Sequence, residues 1–427
     1  MADRRAFLRQ AAGVAGATGL GSLLGVRQAF AEQLETVTPP RTTDASSFAS
    51  LSERYLLDPE ITYFNHGSIG TIPRIVHEAH AEYLRICESN PWLYMWGGEW
   101  EQPREDVRTK MASLLGCPAP EVALTHNTTE GFNLLANGLP LGPGDEVLFP
   151  DTNHSGATVA WDYAAPGKGF TVRRFEFPLM DVPQMTAADV LQLFDDAISS
   201  ETRLLIFPDI DNIVGLYHPV REIVQLARSR GVEWVAVDGA QSLGMRRFNV
   251  VDLDIDVYCS SPHKWVQAPK GTGVMYVRGA LQEDLRPTFY TWGQRRWSNS
   301  ARKYEDYGTR NLPAIIALGD ALDFQEQVGA DAKETRYHDL WEFFLSMADN
   351  SPRVTWRSAR DWDLSASLFA VEIEGQISTE VFAWMYREHG FVFRPFRTEV
   401  LNTLRISPNF FNTEEEIVRF FEIVERI

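Results

Sequence analysis

Two apolar segments near the middle of the chain each end in a chemically reactive side chain. The first, residues 233–237, leads into Asp238-Gly239, and the second, residues 256–260, leads into Ser261-Pro262-His263-Lys264. Short apolar runs bounded by turn residues are typical of buried strands. Because the strands of an α/β sheet place their chemistry at their carboxyl ends, we expect Asp238 and Lys264 to meet at one edge of a sheet.

This pair of residues meets the needs of one cofactor, pyridoxal phosphate. The cofactor requires an amine for its aldehyde, an anion that keeps its pyridine nitrogen protonated, and donors for its phosphate. Lys264, Asp238 and the pair Ser261 and His263 can supply these functions. Taken singly, Asp238 is more often a turn residue at a strand end and Lys264 an exposed lysine. Their combination favours the cofactor site.

A third segment, residues 121–132, strengthens this interpretation. It consists of a short apolar run followed by Asn127-Thr128-Thr129-Glu130-Gly131, which is typical of the start of a helix. Backbone N–H groups at a helix N-terminus, together with the hydroxyls of Thr128 and Thr129, form an anion site that suits a phosphate. The alternative is an ordinary helix cap, because such starts are common.

With these residues the chain resembles the class V aminotransferase family of fold type I pyridoxal phosphate enzymes, which includes cysteine desulfurases, isopenicillin N epimerase and kynureninase. The likeness covers nearly all of the chain after residue 60. It implies that Lys264, Asp238 and His154 are the catalytic residues, with His154 stacked on the pyridine ring. The cofactor contacts that it implies are Thr128, Thr129, His154, Asn212, Asp238, Gln241, Ser261, His263 and Lys264, with Thr309 reaching the phosphate from the neighbouring subunit of a homodimer.

The same resemblance implies a substrate site. Arg405 is expected to bind the substrate carboxylate, with Asn212 beside it. His66 lies in the entry loop 61–70, where it is either a substrate contact or only a turn residue. Residues 393–402, which carry a nucleophilic cysteine in cysteine desulfurases, contain none here, and this argues against desulfurase activity.

Two aromatic segments bear on substrate size. Loop 289–297 combines Trp292 and further aromatic residues with Arg295 and its neighbouring arginine, a composition that suits a planar or anionic ligand, although a solvated connector is the alternative. Segment 91–104 is too aromatic and too interrupted by glycine for a plain helix. We expect it at a subunit interface or cofactor mouth, or else in the core.

Apolar runs alternate with helical stretches between residues 146 and 277, which predicts a largely parallel sheet covered by helices. The resemblance implies an α/β fold of type I, with a mainly parallel seven-stranded sheet in a large domain, residues 61–310, and a smaller α+β domain, residues 311–427. Residues 32–60 are rich in threonine, serine and proline and are predicted to form an extended N-terminal arm.

The first 31 residues predict an export signal. A twin arginine, Arg4-Arg5, precedes an uncharged run rich in glycine and alanine, and Ala29-Phe30-Ala31 is a small-x-small cleavage site. The run is too short and too weakly apolar for stable membrane insertion. We expect export by the twin-arginine (Tat) machinery to the periplasm, a route that carries proteins already folded around a cofactor.

Composition excludes several classes of partner and site. With 58 acidic and 40 basic residues the formal net charge is −18, which disfavours nucleic acids and anionic membranes. The cysteines are three in number and widely spaced, so that neither a disulfide framework nor a metal site is predicted.

Tat export is unusual in the class V aminotransferase family. Together with this signal, the resemblance implies a periplasmic enzyme of siderophore (pyoverdine) maturation. Such an enzyme would convert a chromophore-linked glutamyl side chain to a succinamide by oxidative decarboxylation. The alternatives are an amino-acid racemase or epimerase, an aminotransferase or a carbon–sulfur lyase acting on a small substrate. A periplasmic binding protein without catalytic activity is a further alternative from another class.

Overall fold

The computed structural model describes residues 23–38 and 45–427. Strands form three sheets in this part of the chain. In chain order they are β1 (Thr62–Tyr63), β2 (Val122–Thr125), β3 (Glu146–Pro150), β4 (Thr171–Phe175), β5 (Thr202–Pro208), β6 (Trp234–Asp238), β7 (Val257–Ser260), β8 (Gly273–Val277), β9 (Val354–Trp356), β10 (Phe369–Ile373), β11 (Phe391–Val392), β12 (Arg394–Arg397) and β13 (Asn402–Ile406).

A seven-stranded sheet forms the centre of the large lobe. Its order is β2-β8-β7-β6-β5-β3-β4, and only β8 runs antiparallel to its neighbours among these seven strands. Strands β6, β7 and β8 are buried along their whole length, as expected for a sheet covered on both faces. The predicted α/β fold with a mainly parallel sheet is confirmed.

Helices cover this sheet and the C-terminal lobe. A helix over residues 23–35, which we name α1, is followed by α2 (Ala45–Ala49), α3 (Arg74–Ser89), α4 (Pro91–Met95), α5 (Glu101–Leu115), α6 (Thr128–Gly138), α7 (Ser155–Lys168), α8 (Ala187–Ala197), α9 (Val220–Ser229), α10 (Gly293–Arg296), α11 (Leu312–Val328), α12 (Ala330–Asn350), α13 (Ser378–His389) and α14 (Glu414–Val424). Helix α9 is amphipathic: it buries Ile223, Val224 and Ala227 and exposes Arg221 and Glu222.

The C-terminal lobe contains an antiparallel sheet in the order β12-β13-β10-β9. Its core includes Phe344, Phe369 and Phe420, which pack against one another. Strand β1 pairs in parallel with β11, so that the segment leading into the large lobe is held against the C-terminal lobe. Helix α13 belongs to the same lobe as the strand β10.

The N-terminal segment is helical rather than extended. Residues 32–35 complete α1, and residues 45–54 form α2 and a 3-10 turn, which corrects the prediction of an extended arm over residues 32–60. The physical reason is burial, because Phe48 and Leu51 belong to the main core and the helical turns bring them onto one face. The twin arginine lies outside the described residues, and export stays a prediction.

The aromatic segment 91–104 is divided as its glycines suggested. Helix α4 ends at Met95, and α5 begins only at Glu101, after Gly97 and Gly98. Trp100 is buried against Tyr94, whereas Trp92 and Trp96 are more than half exposed. The segment therefore contributes to the core and also presents aromatic surface to the outside.

Over residues 23–38 and 45–427, no helix has the length and apolar character needed to cross a membrane. The same residues contain no cluster of three or more histidine, cysteine, aspartate or glutamate side chains suited to a metal ion.

Candidate active site

A cavity of about 280 Å³ lies at the carboxyl ends of β5, β6 and β7. In the sheet, Pro208 of β5 is paired with Asp238 of β6, and Asp238 is paired with Cys259 of β7, so that these three neighbouring strands end together. The cavity is lined by nine of the predicted cofactor residues, namely Thr128, Thr129, His154, Asn212, Asp238, Gln241, Ser261, His263 and Lys264. Residues that are up to 136 positions apart in the chain thus form one site.

Asp238 and Lys264 are both buried in this cavity and influence each other. Burial raises the pKa of the Asp238 carboxyl, and the Lys264 ammonium opposes this shift. Burial lowers the pKa of the Lys264 amine to about 8, against the attraction of Asp238 and with a contribution from Arg405. A lysine with such a pKa is a nucleophile near neutral pH, because a substantial fraction of it is unprotonated.

The N-terminus of α6 forms one end of the cavity. Asn127 caps the helix by accepting a hydrogen bond from the Glu130 N–H at 2.9 Å. The Thr128 N–H donates to the Ser261 hydroxyl at 3.0 Å, and the two hydroxyls are 2.8 Å apart. A helix N-terminus with three hydroxyls, from Thr128, Thr129 and Ser261, is suited to a phosphate.

His263 and the loop after it fix the position of Lys264. The His263 Nδ1 lies 3.1 Å from the Thr272 carbonyl oxygen and donates to it, and burial lowers the pKa of this ring to about 4. Gly70 donates to the His263 carbonyl at 3.0 Å, and a Cβ at Gly70 would lie 1.9 Å from the Lys264 carbonyl oxygen. Only glycine permits this close approach of the entry loop to the lysine backbone.

His154 caps α7 at the cavity wall. Its Nδ1 accepts a hydrogen bond from the Gly156 N–H at 3.0 Å, and this places the ring proton on Nε2. Burial lowers the pKa of His154, and Asp238 opposes this shift. The ring is therefore neutral at pH 7, as suits a residue that stacks on a planar ligand.

Gln241 links the Asp238 turn to the entry loop. Its amide nitrogen donates to the Gly67 carbonyl at 2.9 Å, and its amide oxygen accepts from the Trp265 indole at 2.9 Å. One amide N–H remains for a group in the cavity. The side chain that was predicted to contact the cofactor ring is thus held in place by two other segments.

Arg405 lies beside this cavity in a neutral polar setting. It is 3% exposed and donates to the Asn212 carbonyl at 2.8 Å, to the Ser68 hydroxyl at 2.6 Å and to the Asn65 side-chain oxygen at 3.2 Å. Burial lowers its pKa, Arg394 adds to this effect, and the charge of Asp211 opposes it. A buried guanidinium whose bonded acceptors are all uncharged is a strong site for a carboxylate.

A second acid behind Asp238 was not found from the sequence. The Asp209 carboxylate accepts a hydrogen bond from the Ser242 hydroxyl, which lies 2.7 Å from the Tyr258 hydroxyl. Burial raises the pKa of Asp209 to about 8, and the neighbouring Asp238 adds to the shift. Asp209 is the first residue after the buried strand β5, and this was the signal that could have identified it.

Four of the predicted residues lie elsewhere in the single chain. His66 is fully buried among the rings of Tyr63, Trp265 and Phe411, away from the cavity lining. Trp292 and Thr309 line a separate cavity of about 220 Å³, and Arg295 is exposed. The Lys264 cavity of a single chain is therefore not lined by His66, Trp292, Arg295 or Thr309.

The model of the family described as Aminotransferase class-V matches residues 62–420, which include every residue of the cavity. The chain belongs to the class V aminotransferase family. Its relatives include isopenicillin N epimerase of Streptomyces clavuligerus, 28% identical over 88% of this chain and 96% of that protein. A probable cysteine desulfurase of Halobacterium salinarum is 30% identical over 68% of this chain and 72% of that protein.

Solved structures agree on the fold of this class V aminotransferase. A mutant of the protein C-DES, with glycine covalently linked to its pyridoxal phosphate cofactor, superposes with a TM-score of 0.78 at 22% identity, covering 89% of this chain and 98% of that one. This structure agrees with the fold, and the family match over residues 62–420 makes the chain a pyridoxal phosphate-dependent enzyme of fold type I.

Pyridoxal phosphate fits the residues of the cavity. The Lys264 amine is available for its aldehyde, Asp238 for its ring nitrogen, and the start of α6 with Ser261 for its phosphate. The Asn212 side-chain oxygen is buried and has no hydrogen-bond partner in the described part of the chain, which leaves an acceptor beside the cavity. When bound, the cofactor withdraws electrons from the bonds to the substrate Cα.

Proposed function

We propose that this class V enzyme acts at the Cα of an amino-acid group with a free α-amine and a free α-carboxylate. The observation that carries the proposal is the position of Arg405. Its guanidinium is buried beside Lys264 and donates only to uncharged acceptors, and Asp211 acts on it through charge without a hydrogen bond, so that it has no bonded anion. A substrate α-carboxylate supplies that anion and orients Cα over the cavity.

The residues of this site have different roles in the proposed reaction. Lys264, unprotonated in part near pH 8, would hold the cofactor through its amine and could move protons to and from the substrate. Asp238 would keep the cofactor ring nitrogen protonated, and the neutral His154, which lines the same cavity, would contact the ring. Arg405 and Asn212 set the pose of the substrate, which selects the bond at Cα that breaks.

We further propose that the amino-acid group is carried on a large planar substrate. Phe289, Tyr290 and Trp292 are at least half exposed, an unusual run of solvent-facing rings, and Arg295 is exposed beside them. A chromophore-bearing siderophore precursor has the flat surface and the acidic groups that such residues bind.

The specific candidate is maturation of pyoverdine, by resemblance to the periplasmic enzyme PvdN. In that reaction a glutamyl group attached through its γ-carboxyl, with free α-amine and α-carboxylate, is converted to a succinamide by oxidative decarboxylation: the α-carboxylate leaves as carbon dioxide, and an external four-electron oxidant such as dioxygen, which is reduced to water, accepts the electrons. The twin-arginine motif at Arg4-Arg5 supports export by the Tat machinery to the periplasm. Periplasmic location is part of this proposal.

The working unit in this proposal is a homodimer. Thr309 lies apart from the phosphate end of its own chain's cavity, next to the exposed Trp96 and Trp292. If the partner chain presents Thr309 to the phosphate, these exposed rings are covered or brought to the mouth of the neighbouring active site. We expect loss of the cofactor when the protein is diluted into monomers, and a stable active monomer would contradict this.

The second candidate is an epimerase acting on a small or peptide-like substrate. It is favoured by the 28% identity to isopenicillin N epimerase across 96% of that relative. Aminotransferase and carbon–sulfur lyase activities remain open within the family. Desulfurase activity is disfavoured, because residues 393–402 contain no cysteine and Cys87 and Cys259 are buried.

The deciding experiment is mass analysis of the product formed from pyoverdine precursors by the cofactor-loaded enzyme. Conversion of the glutamyl group to a succinamide supports the siderophore proposal, and the Lys264→Ala variant is the control for the chemistry. An unchanged mass together with exchange of the Cα hydrogen for solvent deuterium supports the epimerase. If neither occurs with precursors, while free amino acids are turned over, the siderophore proposal is wrong.

A further inference from the structure

Strand β12 places a second arginine next to the substrate arginine. In the antiparallel pair β12–β13, Arg394 is directly opposite Arg405. Residues in this relationship project from the same face of the sheet, with Cβ atoms about 4.5–5.5 Å apart. Both guanidinium groups lie 5.6 Å from the centroid of the Phe396 ring, so the three side chains form one cluster.

The arrangement is unfavourable in the protein alone. Directly opposed like charges destabilise a sheet, and Arg394 contributes to lowering the pKa of Arg405. Over residues 23–38 and 45–427, Arg394 forms no ion pair, although the chain has 58 acidic residues for 40 basic ones. In the described residues no carboxylate is hydrogen-bonded to Arg394 or Arg405, and Asp211 acts on Arg405 only through its charge, so that an anion placed between the two arginines is attracted by both.

Arg394 also acts on the catalytic cavity. It is among the groups that lower the pKa of His154, together with Lys264 and Arg405. Arg405 is buried, whereas Arg394 is exposed. The two arginines therefore differ in depth: Arg405 is buried beside Lys264, and Arg394 lies toward solvent.

We propose that Arg394 binds a second anionic group of the substrate, carried on the side chain beyond the carboxylate that Arg405 holds. The substrate is then an amino-acid group with one acid at Cα and another acid farther along. This inference rests on the proposed role of Arg405 and narrows the substrate class. In a γ-linked glutamyl substrate the second anion belongs to the group attached through the amide.

The test uses two pairs of probes that differ by one charge at nearly constant shape. The first pair is L-glutamate and L-glutamine, and the second is γ-L-glutamylglycine and γ-L-glutamylglycinamide. Binding of each to the cofactor-loaded enzyme is followed by the change in visible absorbance. We expect the charged member of at least one pair to bind about tenfold more tightly than the neutral member.

Three variants distinguish a direct contact of Arg394 with the probe from a general effect of positive charge. Arg394→Gln removes the preference for the charged probe while leaving the binding of the neutral probe nearly unchanged. Arg394→Lys retains part of the preference. Arg397→Gln removes a charge of the same sign from the same strand, but from a residue that alternates to the other face, and keeps the preference intact.

The proposal is overturned if the wild-type enzyme prefers the charged member of neither pair, or if Arg397→Gln abolishes the preference as fully as Arg394→Gln does. It is also overturned if Arg394→Gln changes only the dimer dissociation constant, which would mean that Arg394 pairs with an acid of the partner subunit. Failure of the proposed function looks different: Arg405→Gln leaves the binding of every probe unchanged, while the preference for the charged probe still depends on Arg394.

Discussion

Asp238 and Lys264 lie beyond the ends of adjacent strands and are both buried in one cavity. The charge of each residue opposes the pKa shift that burial causes in the other. The ladder pairs Asp238 with Cys259, and Lys264 follows that strand by way of Ser261-Pro262-His263. The carboxylate favours the charged form of the lysine, and the ammonium favours the charged form of the acid. A cofactor that bonds to the Lys264 amine and places a protonated ring nitrogen beside the Asp238 carboxylate gives each of these buried groups a partner.

The variant Asp238→Asn tests the electrostatic role of the acid. Asparagine keeps the side-chain volume but cannot carry the charge that holds the ring nitrogen protonated, so we expect kcat to fall by roughly a hundredfold or more with the cofactor still bound. Steady-state kinetics and cofactor absorbance measure the two effects.

Asp209→Asn is the matched control for that variant. The Asp209 carboxyl, whose pKa burial raises to about 8, is largely neutral at pH 7, so that a neutral amide changes little there. Equal losses in the two variants would mean that the charge of Asp238 is not what matters.

Cofactor capture by the apoenzyme is expected to depend on pH through Lys264. The attacking species is the unprotonated amine, so the rate rises with pH and levels off above a pKa of about 8. Arg405→Gln removes a positive charge that lowers this pKa, and the midpoint should move upward. Stopped-flow absorbance gives both profiles. A rate that keeps rising toward the ordinary lysine pKa would show that the amine is not perturbed.

Trp292 and Trp297 are expected to differ in their roles, although the sequence treats them alike. Trp292 is 57% exposed, whereas the Trp297 indole donates to Asp306 at 2.6 Å and lies 3.6 Å from the Arg302 guanidinium. We expect Trp292→Ala to raise KM for the chromophore-bearing substrate by about tenfold, with free amino acids much less affected.

Trp297→Ala should instead lower the melting temperature, because it removes a partly buried hydrogen bond and a packed ring. Kinetics and thermal unfolding of both variants check these expectations. If Trp292→Ala leaves KM for the siderophore precursor unchanged, or if free glutamate is turned over as well as the conjugate, the siderophore proposal is wrong.

His218 is expected to make the fold sensitive to acid. It is fully buried among Phe177, Phe194 and Phe207, and burial lowers its pKa to about 4. The unfolded chain binds the proton at a pKa of about 6.5, so stability is complete above that value and falls as the pH drops toward 4. The loss from this residue is about 2 kcal/mol between about pH 7.5 and about pH 5.

The measurement is thermal unfolding of wild type and His218→Phe at the two pH values. Phenylalanine keeps the ring contacts and removes the titration, so the variant should lose less stability on acidification. An identical loss in both proteins would assign the acid sensitivity to other groups.

Much of the fold and of the cofactor site could be predicted because they depend on local patterns. Asp238 and Lys264 stand at the ends of short apolar strands, and Thr128 opens a helix, so each position is defined by its neighbours in the chain. Parallel strands then bring these ends to one edge of the sheet. The family resemblance supplied His154, Asn212 and Gln241, which have no such local signature.

What could not be predicted depends on tertiary packing. His66 stands in the entry loop, as expected, but its ring points among Tyr63, Trp265 and Phe411, and no sequence pattern gives that direction. The helical form of residues 45–54 follows from burial against the core. The opposition of Arg394 and Arg405 follows from the register of two strands, which the sequence does not state.

The central claim, that Lys264 bonds the cofactor in this cavity, is tested most directly by reducing the cofactor-loaded enzyme with borohydride and mapping the labelled peptide by mass spectrometry. We expect the yellow protein to bleach and the added mass to reside on Lys264, with no label and almost no turnover in a Lys264→Ala variant that keeps its fold. A label on another lysine, or normal turnover by Lys264→Ala, would contradict the account.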